Sequence, residues 1–187
     1  IKEVEESYKY LIEEKYNVNA EEISLFCASH SGEKIHTDSV IRLLKNAKLS
    51  TADLKCGMHP PRHVPTYEQG LKERFEFGPE HNNCSGKHTA MLLSARSNSE
   101  TVEDYYLLEH PVQQRILQAI GEICEYPINK IVMGIDGCGV PVHGLPLYHI
   151  ALGYANMAAN EKYSTKRSDA INKMKRAKTL LDSGLKP

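Results

Sequence analysis

Two short apolar runs, each leading into a polar or glycine-rich segment, most constrain the fold of this chain. Residues 23–28 (ISLFCA) and 131–135 (IVMGI) have the length of strands and are bounded by polar residues. Runs of this kind predict buried strands, whereas apolar residues at three- and four-residue spacing predict helices. Because these predicted strands alternate with helices, we expect an α/β or α+β fold.

The predicted helices lie between and beside the two strands. Thr37 or Asp38 is suited to cap one of them, Pro111 to begin another and Pro146 to precede a buried one. Residues 55–66 contain three prolines and a glycine and predict a loop. The helices are predicted over residues 1–16, about 38–44, 86–97, 101–125 (two helices divided at Pro111) and 145–159.

Composition narrows the class of protein. The 23 basic and 24 acidic residues nearly cancel, which is unlike a general nucleic-acid binder. No apolar run reaches the roughly 18 residues that a membrane span needs. The start of the chain has no signal-peptide pattern, and five cysteines are few and odd in number for a disulfide scaffold. We therefore expect a cytoplasmic protein that binds neither membranes nor nucleic acid, with mostly free thiols.

The segment 81–88 carries the densest group of reactive side chains. Asn82 and Asn83 offer amide donors and acceptors, and Cys84 and Lys87 are three residues apart at a predicted helix start, so they share a face. A thiol at a helix amino terminus beside a lysine is expected to have a lowered pKa and to bind metal or attack more readily. We favour a functional site here over an ordinary helix cap.

Ser29 follows the first predicted strand and lies close to Gly32. It is suited either to contact a substrate, as a nucleophile or ligand, or merely to cap the next helix. A nucleophilic serine needs a base such as histidine or lysine, and the adjacent His30 is expected to point elsewhere. The residues alone leave both interpretations open.

The segment 134–141 places three glycines around Asp136 and Cys138. Glycines permit tight turns and a close approach of the backbone to a ligand. The pattern matches neither a dinucleotide-binding fingerprint nor a phosphate-binding loop, so a nucleotide site is rejected. A plain strand-end turn is the alternative.

A closed zinc site is a further alternative. Cys56 and His59 have a spacing seen in zinc sites, and with Cys84 and His88 they would form a Cys₂His₂ set. The long separation from His59 to Cys84 fits no small zinc finger, which makes this alternative the weaker one.

Four separated motifs resemble the bacterial L-asparaginase II family of the rhizobial and bacillar type. They are CASHSGEKIH, LKCGMHPP, HNNCSGKHTAML and GIDGCGVPVHGLPLYHIALGYA, and they occupy residues 23–159 in the family's order. The resemblance implies a fold similar to serine β-lactamases and glutaminases, with a mixed sheet beside a helical region. It also implies hydrolysis of L-asparagine to L-aspartate and ammonia. Residues 160–187 form a poorly matched tail.

The resemblance also implies residue roles. Ser29 matches the family's second catalytic serine, and Lys87 and Asp136 belong with it to the catalytic set. Cys84, Lys87 and Cys138 match residues that hold a zinc ion in at least some members, where zinc is not obligatory. For lysine to bind zinc it must lose a proton, and we expect burial next to a cation to lower the pKa of Lys87.

Substrate contacts are expected from polar groups around these residues. A short amide substrate needs buried partners for its amine and carboxylate, and an oxyanion needs backbone N–H groups near a glycine-bearing turn. The substrate-binding candidates are His30, Asn82, Asn83, Gly137 and Gly139.

The family's main nucleophile and base are a Ser-x-x-Lys pair on a helix before the point at which this chain begins. The chain opens with Ile1-Lys2-Glu3-Val4, so we expect residues 1–187 to be one amidohydrolase domain, incomplete at both ends. The resemblance also implies a homodimer, since members of this family are often dimeric. Two alternatives stay open: a zinc-dependent hydrolase in which Cys84, Cys138 and His88 hold a catalytic metal, and an inactive fragment that acts only as a binding module.

Overall fold

The computed structural model describes residues 12–182, without the side chains of 178 and 180–182. Eight α-helices and one β-hairpin are its main elements, joined by loops and short 3-10 turns. The predicted helix over residues 1–16 is confirmed for 12–16 (α1), and its earlier part lies outside the described residues. The further elements are α2 (Ala20–Cys27), α3 (Lys34–Asn46), α4 (Val64–Glu73), α5 (Ser85–Ser97), α6 (Pro111–Ile123), β1 (Val132–Ile135), β2 (Pro141–Gly144), α7 (Leu147–Ala158) and α8 (Thr165–Asp182).

The first predicted strand is wrong, because residues 23–28 lie largely in α2. A capping box begins this helix: Asn19 Oδ1 accepts from the Glu22 N–H at 2.9 Å, and Glu22 Oε2 accepts from the Asn19 N–H at 2.9 Å. Leu25 is buried against the core, and Ser24 Oγ donates to Ala177 O of α8 at 2.8 Å. A short apolar run fits a buried helix as well as a strand, and here the cap decides.

Two helix boundaries also differ from expectation. α3 begins at Lys34 with Glu33 at its N-cap position, earlier than a cap at Thr37 or Asp38 would place it. Only one helix forms within residues 101–125, and Pro111 begins it as predicted. Residues 101–110 consist of bends and turns instead, ending at His110, whose Nδ1 accepts from the Val112 N–H at 3.1 Å.

The hairpin confirms that the second predicted strand exists at its predicted position, but the strand is not buried as predicted. β1 pairs with β2 in an antiparallel, two-stranded sheet, with Val132 opposite Gly144. Val132 and Ile135 are 71% and 82% exposed, and Leu147 at the start of α7 is 80% exposed. Both the hairpin and α7 therefore present apolar side chains outward, where the sequence predicted buried elements. The described elements fit the α+β class, and the larger mixed sheet that the resemblance implies stays a prediction.

α5 lies at the centre of the packing and confirms the predicted compact helix. It contacts α2, α3 and α6, and its Leu92, Leu93 and Ala95 are fully buried. None of the helices within residues 12–182 combines the length and apolar character that crossing a bilayer requires. The main core comprises Leu25, Val40, Leu44, Leu54, Cys56, Met91, Leu92, Tyr105, Val112, Cys138 and Val140.

The contact between α2 and α5 depends on Gly86. A Cβ at Gly86 would lie 2.3 Å from Leu25 O and 2.8 Å from Leu25 Cγ, so the two helices would have to separate. We expect Gly86→Ala to lower the free energy of unfolding by about 2 kcal/mol, because overpacking outweighs the gain in helix propensity. Urea denaturation measures this change. Gly137→Ala is the control, since its Cβ meets nothing within 4 Å. Equal midpoints for Gly86→Ala and the unsubstituted chain would contradict the close helix contact.

Candidate active site and metal site

The buried side-chain amide of Asn82 joins two of the predicted motifs. Its Nδ2 donates to Cys56 O at 2.8 Å and to Gly57 O at 3.3 Å. Its Oδ1 accepts from the Cys84 N–H at 2.8 Å, at the N-cap of α5. Asn82 is 5% exposed and its polar atoms are bonded within the protein. These hydrogen bonds give Asn82 a structural role, because they fix the position of Cys84.

Cys84, Asp136 and Cys138 come together at one point. One ligand atom from each of the three, the two Sγ atoms and a carboxylate oxygen, lies within 4.8 Å of the others. The turn of the hairpin supplies two of them: the Asp136 N–H donates to Val140 O at 2.8 Å, and Gly139 has a φ of +88°, which favours glycine. The resemblance placed these residues in one site, and the fold brings them together.

Lys87 points at the same cluster from the first turn of α5. Its Nζ donates to Asp136 Oδ2 at 3.0 Å. Burial lowers the pKa of Lys87, but the hydrogen bond to Asp136 and the nearby Cys138 and Cys84 sulfurs outweigh burial and raise it. The balance favours the protonated amine of Lys87. The expectation that burial next to a cation lowers this pKa stays a prediction. The same bond, with those from Cys138 and the Gly137 N–H, lowers the pKa of Asp136.

The Cys84 thiol also departs from expectation. Burial raises its pKa more than the charge of Lys87 lowers it, and the neighbouring Cys138 and Asp136 raise it further. Cys138 Sγ lies 3.3 Å from Asp136 Oδ2 and donates to it. The helix amino terminus and lysine do not make Cys84 a thiolate here. A cation is the group that would deprotonate these thiols.

Ser29 contacts Asn83 and is exposed. Asn83 Nδ2 lies 3.2 Å from Ser29 Oγ, and Asn83 Oδ1 lies 2.9 Å from His59 Nε2. Lys87 and Asp136, the other two predicted catalytic residues, bond to each other rather than to Ser29. The structure thus places a serine–asparagine–histidine group beside the Cys84 cluster, and residues 82–87 connect the two.

His30 is directed inward, as expected from its position next to Ser29. The Gly32 N–H donates to its Nδ1 at 3.1 Å, which leaves the proton on Nε2 to donate to Ser85 Oγ at 2.8 Å. Burial lowers the pKa of His30 to about 4, and the charges of His36, His59 and His81 lower it further. His30 is 5% exposed, so its direct contact with substrate stays a prediction that the observed bonds do not favour.

The two predicted oxyanion donors are engaged inside the hairpin turn. The Gly137 N–H donates to Asp136 Oδ1 at 2.8 Å, and the Gly139 N–H donates to Asp136 O at 2.9 Å. An oxyanion would have to replace these bonds. Their observed role is to hold the Asp136 carboxylate toward Lys87.

Sequence reasoning missed one Ser-x-x-Lys pattern, Ser31 to Lys34. Ser31 Oγ donates to Glu33 Oε1 at 2.9 Å, while Lys34 Nζ bonds Asp38 and its side chain is 85% exposed. The serine and lysine therefore face different partners, and this pattern is no nucleophile–base pair.

The alternative metal sets are not assembled among the described residues. Cys56 Sγ donates to Pro79 O at 3.5 Å and His59 bonds Asn83. His88 is fully buried, and its Nδ1 lies 2.5 Å from the hydroxyl of Tyr105. Tyr105 in turn accepts from the Lys55 N–H at 2.9 Å. His88 thus supports the loop before Cys56 and does not join the Cys84 cluster.

The pKa of His30 links the site to stability. His30 has a pKa of about 6.5 in the unfolded chain and of about 4 in the folded chain, so the unfolded chain binds its proton first as the pH falls. The contribution of the neutral ring to the free energy of unfolding is therefore complete above pH 6.5 and is lost between pH 6.5 and 4. We expect His30→Gln, which keeps an N–H for Ser85, to reduce this loss by about 3 kcal/mol. Urea denaturation at several pH values measures it. The control is His63→Gln, which replaces a half-buried histidine at the start of α4. If the unsubstituted chain and His30→Gln lost the same free energy of unfolding as the pH falls, the assignment to His30 would be refuted.

Comparison with known families adds one finding to this geometry. The family model described as L-asparaginase II matches residues 7–181, beyond the motifs and through most of the tail that the sequence left poorly matched. No curated protein gave a match. The rhizobial and bacillar subtype stays a prediction. Since the match covers far more than half of its length, the chain belongs to the L-asparaginase II family.

Proposed function

We propose that this chain serves the hydrolysis of the side-chain amide of L-asparagine to L-aspartate and ammonia by serine chemistry. One observation carries the proposal beyond family membership: exposed Ser29 meets Asn83 immediately beside the cluster of Cys84, Lys87 and Asp136. A hydroxyl, an amide and an ion pair that the fold brings together around residues 83–87 are suited to a small polar substrate.

The reaction we propose is an acyl transfer in two steps. A serine hydroxyl attacks the side-chain carbonyl carbon, ammonia leaves, and water then hydrolyses the aspartyl ester. Ser29 is bonded to an amide rather than to a base, so we assign it to contact the substrate and assign the attack to the family's Ser-x-x-Lys pair. Lys87 and Asp136 keep opposite charges side by side, which suits the carboxylate and ammonium groups of an amino acid.

The Cys84 cluster fits zinc by its donor chemistry. Two thiols and a carboxylate are common zinc ligands, and such a set leaves a fourth position open. Lys87 would have to give up its bond to Asp136 and a proton before it became a ligand. We therefore propose Cys84 and Cys138 as ligands, with Asp136 or Lys87 as the third. Bound zinc would supply a positive charge that polarises a substrate oxygen.

Ammonia release tests the proposed activity. We expect L-asparagine to be hydrolysed in preference to L-glutamine by a version of the chain that is extended at both ends and carries the family's Ser-x-x-Lys pair. Ser29→Ala should lower kcat/KM at least about tenfold, which corresponds to the loss of one good hydrogen bond. Ser39→Ala is the control, because Ser39 bonds only a carbonyl within its own helix. No ammonia from either amide, or full activity in Ser29→Ala, would overturn the proposal.

Zinc titration tests the metal site separately. We expect Cys84→Ser and Cys138→Ser each to weaken zinc binding by about tenfold or more, measured by competition with a chelating dye. Cys27→Ser is the control, since Cys27 is an exposed thiol at the end of α2. Asp136→Asn distinguishes the third ligand: undiminished affinity would assign that place to Lys87. Equal affinity in both cysteine variants and the control would rule the site out. Loss of all activity on chelation would favour the metal-dependent hydrolase over the serine enzyme.

A further inference from the structure

His59 lies on the proline-rich loop and reaches the site only through Asn83. Its Nδ1 lies 2.8 Å from Pro60 O, and its Nε2 faces Asn83. The sequence singled it out for its spacing from Cys56, as a metal ligand, and that role is not assembled. Its hydrogen bonds give it a different task.

Three contacts of the His59 ring cannot all be hydrogen bonds at once. A carbonyl oxygen only accepts, so the Pro60 contact places a proton on Nδ1. The Asn83 backbone N–H donates to Nε2 at 3.1 Å, which requires a lone pair there. Asn83 Oδ1, 2.9 Å from the same Nε2, would require a proton there instead.

Two protonation states resolve the conflict in opposite ways. An imidazolium would donate to Asn83 Oδ1 but would leave the Asn83 backbone N–H without this acceptor. A neutral ring with its proton on Nδ1 keeps both the Pro60 bond and the backbone bond. Among residues 12–182, no carboxylate forms an ion pair with His59, so an imidazolium would also lack a counter-charge. These points favour the neutral ring.

If the His59 ring is neutral, the groups around the Asn83 side-chain amide determine which way its oxygen and nitrogen point. The two ends of an asparagine amide have the same shape, and the donors and acceptors around them decide the orientation. An amide oxygen at this distance would repel the Nε2 lone pair, whereas the NH₂ group can share that lone pair with the Asn83 backbone N–H in a three-centre hydrogen bond. The amide oxygen then falls on the side of Ser29 and accepts the Ser29 O–H. Ser29 then directs its proton at Asn83 and its lone pairs toward solvent.

We propose that His59 is a positioning residue that orients Asn83 and thereby makes Ser29 an acceptor for N–H donors of the substrate. The inference deepens the proposed function and rests on it only where substrate is concerned. An amide or ammonium group is the matching chemistry, because both present N–H donors to an oxygen lone pair.

Nitrogen NMR of the imidazole tests the orientation without any substrate. We expect His59 in the 187-residue chain to show a protonated Nδ1, an unprotonated Nε2, and coupling across a hydrogen bond from Asn83 Nδ2 to His59 Nε2. A protonated Nε2, or absence of that coupling, would overturn the proposal. Because no activity is needed, this result stands whether or not the chain hydrolyses asparagine.

Kinetics of the active form test the consequence. We expect His59→Phe to raise the KM for L-asparagine about tenfold, with little change in kcat, as for loss of a supporting partner. His59→Gln, which restores an acceptor, should recover most of the affinity, and His59→Phe should add little in an Asn83→Ala background. His63→Phe is the control, because His63 bonds Thr66 at the start of α4. Unchanged KM in His59→Phe, or additive effects with Asn83→Ala, would refute the positioning role even if the enzyme is active.

Discussion

The site depends on the buried amide of Asn82 more than on any other contact. It spans from the carbonyls of Cys56 and Gly57 to the N–H of Cys84, and so fixes the proline-rich loop against the start of α5. A buried amide with its polar atoms satisfied is rigid, whereas a partly satisfied one is costly. That rigidity places His59 on one side of Asn83 and Cys84 on the other. The reactive groups are thus held by a neutral, buried side chain whose polar atoms bond within the protein.

The protonation states of Cys84 and Lys87 follow from where the fold places these two residues. Cys84 stands half-buried at the α5 terminus, so burial keeps its proton on despite the lysine one turn away. Lys87 keeps its own proton because Asp136 lies 3.0 Å from it. The protein alone therefore favours a protonated Cys84 beside the Lys87–Asp136 ion pair. A divalent cation would reverse these protonation states together, since it favours the deprotonated form of every ligand, and binding would release protons.

Sequence reasoning reached the elements whose signal is local and strong. α5 was predicted from its apolar residues, and the first strand of the hairpin from its short apolar run. The meeting of Cys84 with Cys138 was available only through the family resemblance, because no local pattern encodes a contact between residues so far apart. α2 was missed because a short apolar run is ambiguous, and the Asn19–Glu22 capping box that decides it is a polar signal lying just before that run. The protonation of Lys87 could not be predicted, since it depends on Asp136 crossing from the hairpin.

The histidines show why spacing alone misassigns chemistry. Cys56 and His59 have metal-like spacing, yet Cys56 bonds the Pro79 carbonyl, beyond α4, and His59 bonds Asn83. A histidine whose two ring nitrogens already have partners within the protein is not free to bind a metal. His30 and His59 each bond through both nitrogens, one to Gly32 and Ser85 and the other to Pro60 and Asn83. Each is therefore fixed in one tautomer, and a ring fixed in this way acts by orienting the serine or asparagine it touches. Ser29 is exposed and contacts one such neighbour, Asn83, which is why we propose it as the group that contacts the substrate.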